Sequence, residues 1–181
     1  MNTDDFIRYF ESYFPNVDQI DWHSWLYTPG MPPVTLDFST KLEEECRQLD
    51  HDYASISSQQ LHSLNANQIS YLLNLLLNQS VTLEKLTEMN RNCQMTKYSN
   101  CEIAYRWYQL CIRVQYKDLL DGIFQFLGST SRMKYLKVMY TEFKVSWPEM
   151  MPKVIEFFRK HQQYMHPIAI EQIRMRLFSN K

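Results

Sequence analysis

The 181-residue chain is 45% hydrophobic and 14% aromatic with a net charge of −1, enough apolar material to close one core near the usual single-domain size of roughly 150 residues. Three glycines in the whole chain leave too few positive-φ turns for a sheet-rich fold, and no apolar run approaches the roughly 20 residues of a membrane span or resembles a signal peptide. A pI of about 6.5 falls well short of the strongly basic range of dedicated nucleic-acid binders, so neither a membrane nor a nucleic-acid partner is expected.

The small net charge hides a split. Residues 1–90 carry 4 basic and 13 acidic side chains, and residues 91–181 carry 15 and 7. Such a split implies either two halves that attract each other or a C-terminal half that faces an anion or an acidic partner. The four cysteines, Cys46, Cys93, Cys101 and Cys111, are irregularly spaced and form no C-x-x-C pair, which fits reduced thiols in a cytoplasmic protein.

Taken in order, Thr3 with Asp4 and Asp5 suits a helix start. Phe6, Phe10, Tyr13 and Phe14 then share a face until Pro15 ends the helix. From Val17 to Phe38 the Pro-Gly and Pro-Pro steps forbid a continuous helix while Trp22, Trp25 and Tyr27 call for burial, so this stretch reads as an ordered connector. Helices follow with Thr40 and Glu43 as a capping box, Asn67 and Thr82 as caps, and Ser99 with Glu102 as a second box. Gly128 is placed to stop the helix of Leu120 to Leu127, Ser131 or a neighbour opens the next, and Pro148 and Pro167 occupy first turns. The expected architecture is all-α: about eight to nine amphipathic helices in two layers. Residues 1–17 form a leading helix, 18–38 the connector, and 39–181 the helical domain.

No catalytic motif is spelled out in this pattern, although the linear order leaves Ser-His-Asp and Cys-His triads open. A zinc peptidase needs two histidines one turn apart with a glutamate beside the first, and His23, His51, His62, His161 and His166 do not supply it. No nucleophile sits in a recognisable elbow and too few glycines exist for a phosphate loop. The residues that stand out are Arg132 and Lys134, behind Gly128-Ser129-Thr130-Ser131. Cations at a helix N-terminus oppose the macrodipole, which calls for an anion nearby. The first-turn amides with two long cationic side chains would cradle a carboxylate or phosphate, provided Arg132 lies at or before the helix start, since residues two apart on a helix do not share a face. The competing explanation is a solvated pair facing the acidic half.

The run from Asp21-Trp22 to Pro33, D-W-x-x-W-L-Y-x-P-G-x-P-P, resembles the segment joining the catalytic and C-terminal domains in the leukotriene A(4) hydrolase and aminopeptidase B group of gluzincin aminopeptidases. The likeness continues through Cys101-Glu102-Ile103, Arg106-Trp107, Leu110-Cys111-Ile112, Ser131-Arg132-Met133-Lys134-Tyr135 and Met165-His166-Pro167, from about Asp18 onward, with Phe6 to Phe14 resembling the end of the preceding domain. The resemblance implies an armadillo-like two-layer α-α superhelix that closes one side of an active-site cleft. Zinc would lie in a separate catalytic domain, with no cofactor in this chain. Arg132 and Lys134 would recognise the carboxylate of a peptide or fatty-acid-type substrate. The segments Asn90–Tyr98 and Lys144–Pro152 depart from the family pattern and read as solvent-facing loops. The alternative is a free-standing helical protein-interaction module without enzymatic activity.

Overall fold

The computed structural model describes residues 2–14, 20–31, 33–34 and 40–178. It divides into two compact units, Met1–Phe38 and Ser39–Lys181. In the first unit, α1 (Thr3–Tyr13) starts one residue earlier than Thr3 suggests. Asn2 is its cap, in a reciprocal box with Asp5. The short α2 (Trp22–Tyr27), which the Pro-Gly and Pro-Pro steps had hidden, is capped by Asp21. Trp22 packs edge-on against Phe6 and Phe10 and donates its indole N–H to Glu11. Trp25 and Tyr27 remain about half exposed, at 49% and 59%, because two short helices cannot cover both faces of an aromatic strip.

The second unit holds α3 (Lys41–Asp50), α4 (Ser58–Ser63), α5 (Ala66–Leu77), α6 (Leu83–Cys93), α7 (Cys101–Arg113), α8 (Leu120–Ser129), α9 (Met133–Ser146), α10 (Met151–His161) and α11 (Pro167–Phe178), with single 3₁₀ turns between several of them. All described elements are helical. The all-α two-layer class expected from the periodicity holds, with α2 and α4 added to the helices read from the pattern. Thr40 and Thr82 cap as expected. Asn67 does not: the cap of α5 is Asn65, whose side chain accepts from the Asn67 and Gln68 amides while Gln68 reaches back to its backbone. Likewise α7 is capped by Asn100 and not by Ser99, which leaves the Glu102 side chain free to reach beyond its own helix.

Gly128 lies inside α8. A Cβ there would come within 3.4 Å of the rings of Phe157 and His161, so its role is close helix approach. The two segments expected as solvent-facing loops are mostly helical and mixed in exposure: Arg91, Lys97, Val145 and Glu149 face solvent, while each segment also sends apolar side chains into the core. Cys93 and Met95 are buried, as is Trp147, because α6 and a following 3₁₀ turn continue through the first and the end of α9 through the second.

The odd-numbered helices stack in one layer, with α3 on α5, α5 on α7, α7 on α9 and α9 on α11. Several of the side-chain hydrogen bonds across it join residues 32 or 33 apart: Arg106 to Asn74, Lys134 and Tyr135 to Glu102, Gln109 to Glu142, and Lys144 to the Arg176 carbonyl. These helices therefore run parallel, their N-termini along one edge and their C-termini along the other. In the second layer α4 packs on α6, and α8 meets α10 through Phe124 and Phe157 at 4.9 Å. Between the layers lies a core that includes Leu72, Leu86, Trp107, Leu110, Leu136, Tyr140, Phe143 and Phe158.

Parallel stacking gives the two edges opposite electrostatics. On the C-terminal edge, Arg113 donates to the Leu77 carbonyl at the end of α5, Lys144 to Arg176 near the end of α11, and Gln115 to Ser146 at the end of α9. Donors from the end of α7, the turn after it and α9 thus meet the C-termini of neighbouring helices, where a positive or donor group is favoured by the macrodipole. On the N-terminal edge the positive ends of the dipoles lie side by side; α3 meets them with Glu43 and Glu44, whereas the start of α9 adds the cations Arg132 and Lys134.

Candidate functional site

That edge contains Arg132 and Lys134. Arg132 is the N-cap of α9, with extended backbone at φ −71°, ψ 116°, so it lies before the helix start as a shared site with Lys134 requires. A guanidinium cannot accept an amide hydrogen bond, and α9 begins without a side-chain cap. Met133 follows at the first helical position and Lys134 at the second, which directs the lysine across to α7.

The two cations are gathered by Tyr135 and Glu102. Lys134 Nζ donates to both Glu102 oxygens at 2.6 and 2.7 Å. Arg132 Nη1 donates to Tyr135 Oη at 3.0 Å, and that hydroxyl donates onward to Glu102 Oε1 at 2.9 Å. On the far side Arg106 donates to Glu102 Oε2 at 2.9 Å and is itself held by Asn74 of α5. The rings of Tyr105 and Tyr135 stack at 4.8 Å beneath these groups. Arg106 lies 4.6 Å over the first, and Arg132 and Lys134 lie 5.4 and 5.8 Å from the second, within cation–π range.

Three cations thus surround a single carboxylate, leaving a surplus of positive charge at an exposed helix N-terminus. The pairs Lys134–Glu102, Arg106–Glu102 and Arg113–Glu142 all fall within residues 91–181, so these cations are met by acids of their own half and not by the acidic first half. Lys134, with Arg106 and Tyr135 beside it, holds the Glu102 carboxyl down at about 2 from an ordinary value of 4.5. A depressed carboxyl contributes stability above its unfolded pKa and loses it as pH falls through its folded one. Glu102→Gln is therefore expected to cost about 1–2 kcal/mol at pH 7, the lower part of the range its shift allows because the side chain is about a third exposed and screened. Urea midpoints of the two proteins should converge as pH is lowered from 4.5 toward 2. A gap that stays constant with pH removes the ionic account.

The sequence singled out Arg132 and Lys134 but not the residues that organise them. From the sequence Glu102 reads as a capping partner, and Arg106, Asn74 and Tyr135 carry no local signal. What would have found Glu102 is the 32-residue spacing of the layer, which is a property of the fold.

Among the described residues no group of three or more His, Cys, Asp or Glu side chains is placed to hold a metal ion. Cys46, Cys93, Cys101 and Cys111 are free thiols, all but Cys101 buried. No helix among the described residues is long and apolar enough to cross a membrane.

The family model described as "Leukotriene A4 hydrolase, C-terminal" matches residues 64–177. Leukotriene A-4 hydrolase of Xenopus laevis is 26% identical over 182 residues, covering 93% of this chain and 30% of that protein. Leucine aminopeptidase 2-2 of Scheffersomyces stipitis is 29% identical over 202 residues, covering 96% and 31%. Native leukotriene A4 hydrolase of Saccharomyces cerevisiae shares the fold with a TM-score of 0.83 at 20% identity over 97% of this chain and 32% of that one. The chain spans about a third of the length of these relatives. With the matched stretch running from the approach to α5 almost to the end of α11, the chain belongs to the leukotriene A4 hydrolase C-terminal domain family.

Proposed function

We propose that this chain is the C-terminal accessory domain of a larger zinc aminopeptidase of the leukotriene A4 hydrolase type. Residues 1–17 close the preceding catalytic domain, 18–38 connect, and 39–181 form the helical domain that walls one side of the active-site cleft. The zinc belongs to the catalytic domain, where it supplies an activated water. No residue of this chain takes part in that step. The protein acts in the cytoplasm, on a peptide or a fatty-acid-type carboxylate.

The role of this domain is positional. Arg132 and Lys134 supply the charge that holds the substrate's terminal carboxylate, and a fixed carboxylate sets the register of the scissile bond against the metal. The observation that carries this reading is the surplus of cations over carboxylates at the uncapped start of α9. The Arg132 guanidinium donates once within this cluster, to Tyr135, and a planar fork with further donors matches a carboxylate in bidentate fashion.

In the polypeptide that joins this chain to its catalytic domain, Arg132→Ala is expected to lower kcat/KM for a tripeptide by about 100-fold, the order of a lost charge-assisted pair. The same substitution should leave cleavage of the C-terminally amidated tripeptide within about threefold of the parent, since a neutral amide has no charge for Arg132 to hold. Equal losses on both substrates, or none on either, count against the anchor.

A further inference from the structure

A second basic feature lies on the outer face of the odd-numbered layer, further along α9 from its start. There the side chains that face outward are short. Val138, Thr141 and Val145 follow one another at spacings of three and four residues, so they share one strip of the helix surface. Longer side chains stand on either side, Arg113 on α7 and Arg176 on α11. The depression between them has a volume of about 520 Å³, within the roughly 300–1,000 Å³ of binding clefts. Val145 is 74% exposed on its floor, an apolar side chain that gains nothing from solvent.

Part of the cation excess of residues 91–181 is gathered around this strip. The only acid among the lining residues, Glu142, already takes bonds from Arg113, Gln109 and Ser146, so Arg113 and Glu142 cancel. Lys137 and Arg176 remain. The Lys137 ammonium makes no ion pair among the described residues, and the Arg176 guanidinium donates only to two neutral oxygens of Gln172.

The geometry points to a docking site for a short acidic segment of a partner protein. Its carboxylates meet Lys137 and Arg176, and an aliphatic side chain between them lies on Val138 and Val145. Two unmet cations on neighbouring helices with an apolar strip between them complement an acidic sequence interrupted by such a residue. A nucleic acid calls for more cations and for rings to stack on, and the lining residues include no aromatic. A free phosphate would leave the valines unused. The site is separate from the proposed carboxylate anchor: Arg132 and Lys134 do not line it, and its occupant needs no terminal carboxylate.

Fluorescence anisotropy of the 181-residue chain tests this, with a fluorescein-labelled pentapeptide, Glu-Glu-Leu-Glu-Glu, amidated at its C-terminus, as probe in low salt. Lys137→Ala and Arg176→Ala are each expected to weaken binding about fivefold, the effect of one charge at contact in water, and Lys137→Glu about 25-fold. Val145→Ser, or alanine in place of the probe's leucine, should cost about threefold through lost apolar contact. Lys153→Glu makes the same charge change on the exposed side of α10 and should stay within about twofold of the parent, as should Arg132→Ala. Equal weakening by Lys153→Glu and Lys137→Glu reduces the effect to overall charge and overturns the site. A loss in Arg132→Ala, which would move the probe to the start of α9, overturns it too, as does a parent chain that leaves the anisotropy unchanged. If the parent sediments as a dimer that Lys137→Glu disperses, the depression receives a second copy and the assignment to an acidic partner fails.

Discussion

Replacing Trp107 with alanine is expected to cost about 4 kcal/mol, the middle of the range for truncating a large buried aromatic. The residue has no exposed surface and sits on α7, which packs against α5 on one side and α9 on the other, so the void would open at the centre of the layer. Neighbouring helices held by side-chain bonds at both edges cannot close around it easily. Against a total stability of about 5–15 kcal/mol for a domain, such a loss is a large fraction.

Trp107→Phe should cost only about 1–2 kcal/mol, since it keeps most of the ring volume. It also removes an indole N–H that is buried with no acceptor among the described residues, a group whose burial is itself unfavourable by roughly 1–3 kcal/mol. Guanidinium denaturation of the three proteins checks this, and the wide spacing between the two variants is the informative quantity. If phenylalanine costs as much as alanine, the indole N–H has a partner and the packing account is wrong.

Arg113→Ala is expected to destabilise by about 3 kcal/mol, for a reason of a different kind. Arg113 bonds both Glu142 oxygens at 3.1 and 3.2 Å and the Leu77 carbonyl at 2.5 Å, so it ties the C-terminal ends of α5, α7 and α9 together. Its loss leaves Glu142, which is 9% exposed, with only Gln109 and Ser146 to offset desolvation. Burial pushes the Glu142 carboxyl up, but the hydrogen bonds from Arg113, Gln109 and Ser146 outweigh it and hold the group below the ordinary value.

In the parent that depressed carboxyl contributes stability above its unfolded pKa and loses it as pH falls. Without Arg113 burial dominates, the carboxyl rises, and protonation relieves the variant as the parent is weakened. The stability gap should therefore narrow as pH falls from about 7 to about 4. Adding Glu142→Gln to Arg113→Ala should recover about 1–2 kcal/mol of the loss at pH 7, the usual size of coupling between contacting groups. Strict additivity of the two substitutions would falsify the buried-pair account.

The charge distribution acquires a physical meaning from the stacking. Parallel helices place all their negative ends on one edge, where Arg113 and Lys144 reach across to neighbouring carbonyls. Their positive ends share the other edge, where Arg106, Arg132 and Lys134 add to the same sign. A stack whose C-terminal ends are met by cations, and whose α9 N-terminus carries Arg132 and Lys134 around the single carboxylate of Glu102, is electrostatically poised for an anion at that N-terminus. The proposed carboxylate anchor uses what the fold already concentrates there.

The amino-acid sequence by itself determined the class of structure. Apolar residues at helical spacing, few glycines, and prolines at helix starts exclude a sheet and set most helix positions, because these are local properties of propensity and capping. It also marked Arg132 and Lys134, since two cations at a predicted helix start contradict the local preference. Tertiary structure decided everything that depends on residues far apart in the chain. Asn65 and Asn100 took the caps from Asn67 and Ser99 by one or two positions, and Gly128 proved to serve helix contact. Cys93, Met95 and Trp147 carry parts of Asn90–Tyr98 and Lys144–Pro152 into the core, which periodicity over a few residues cannot register. Above all, Glu102, Arg106, Asn74 and Tyr135 became one network only when α5, α7 and α9 stacked in parallel at a 32-residue spacing. That repeat is carried by backbone geometry and not by recurring residue types, so nothing in the linear order announces which carboxylate will sit between the two cations.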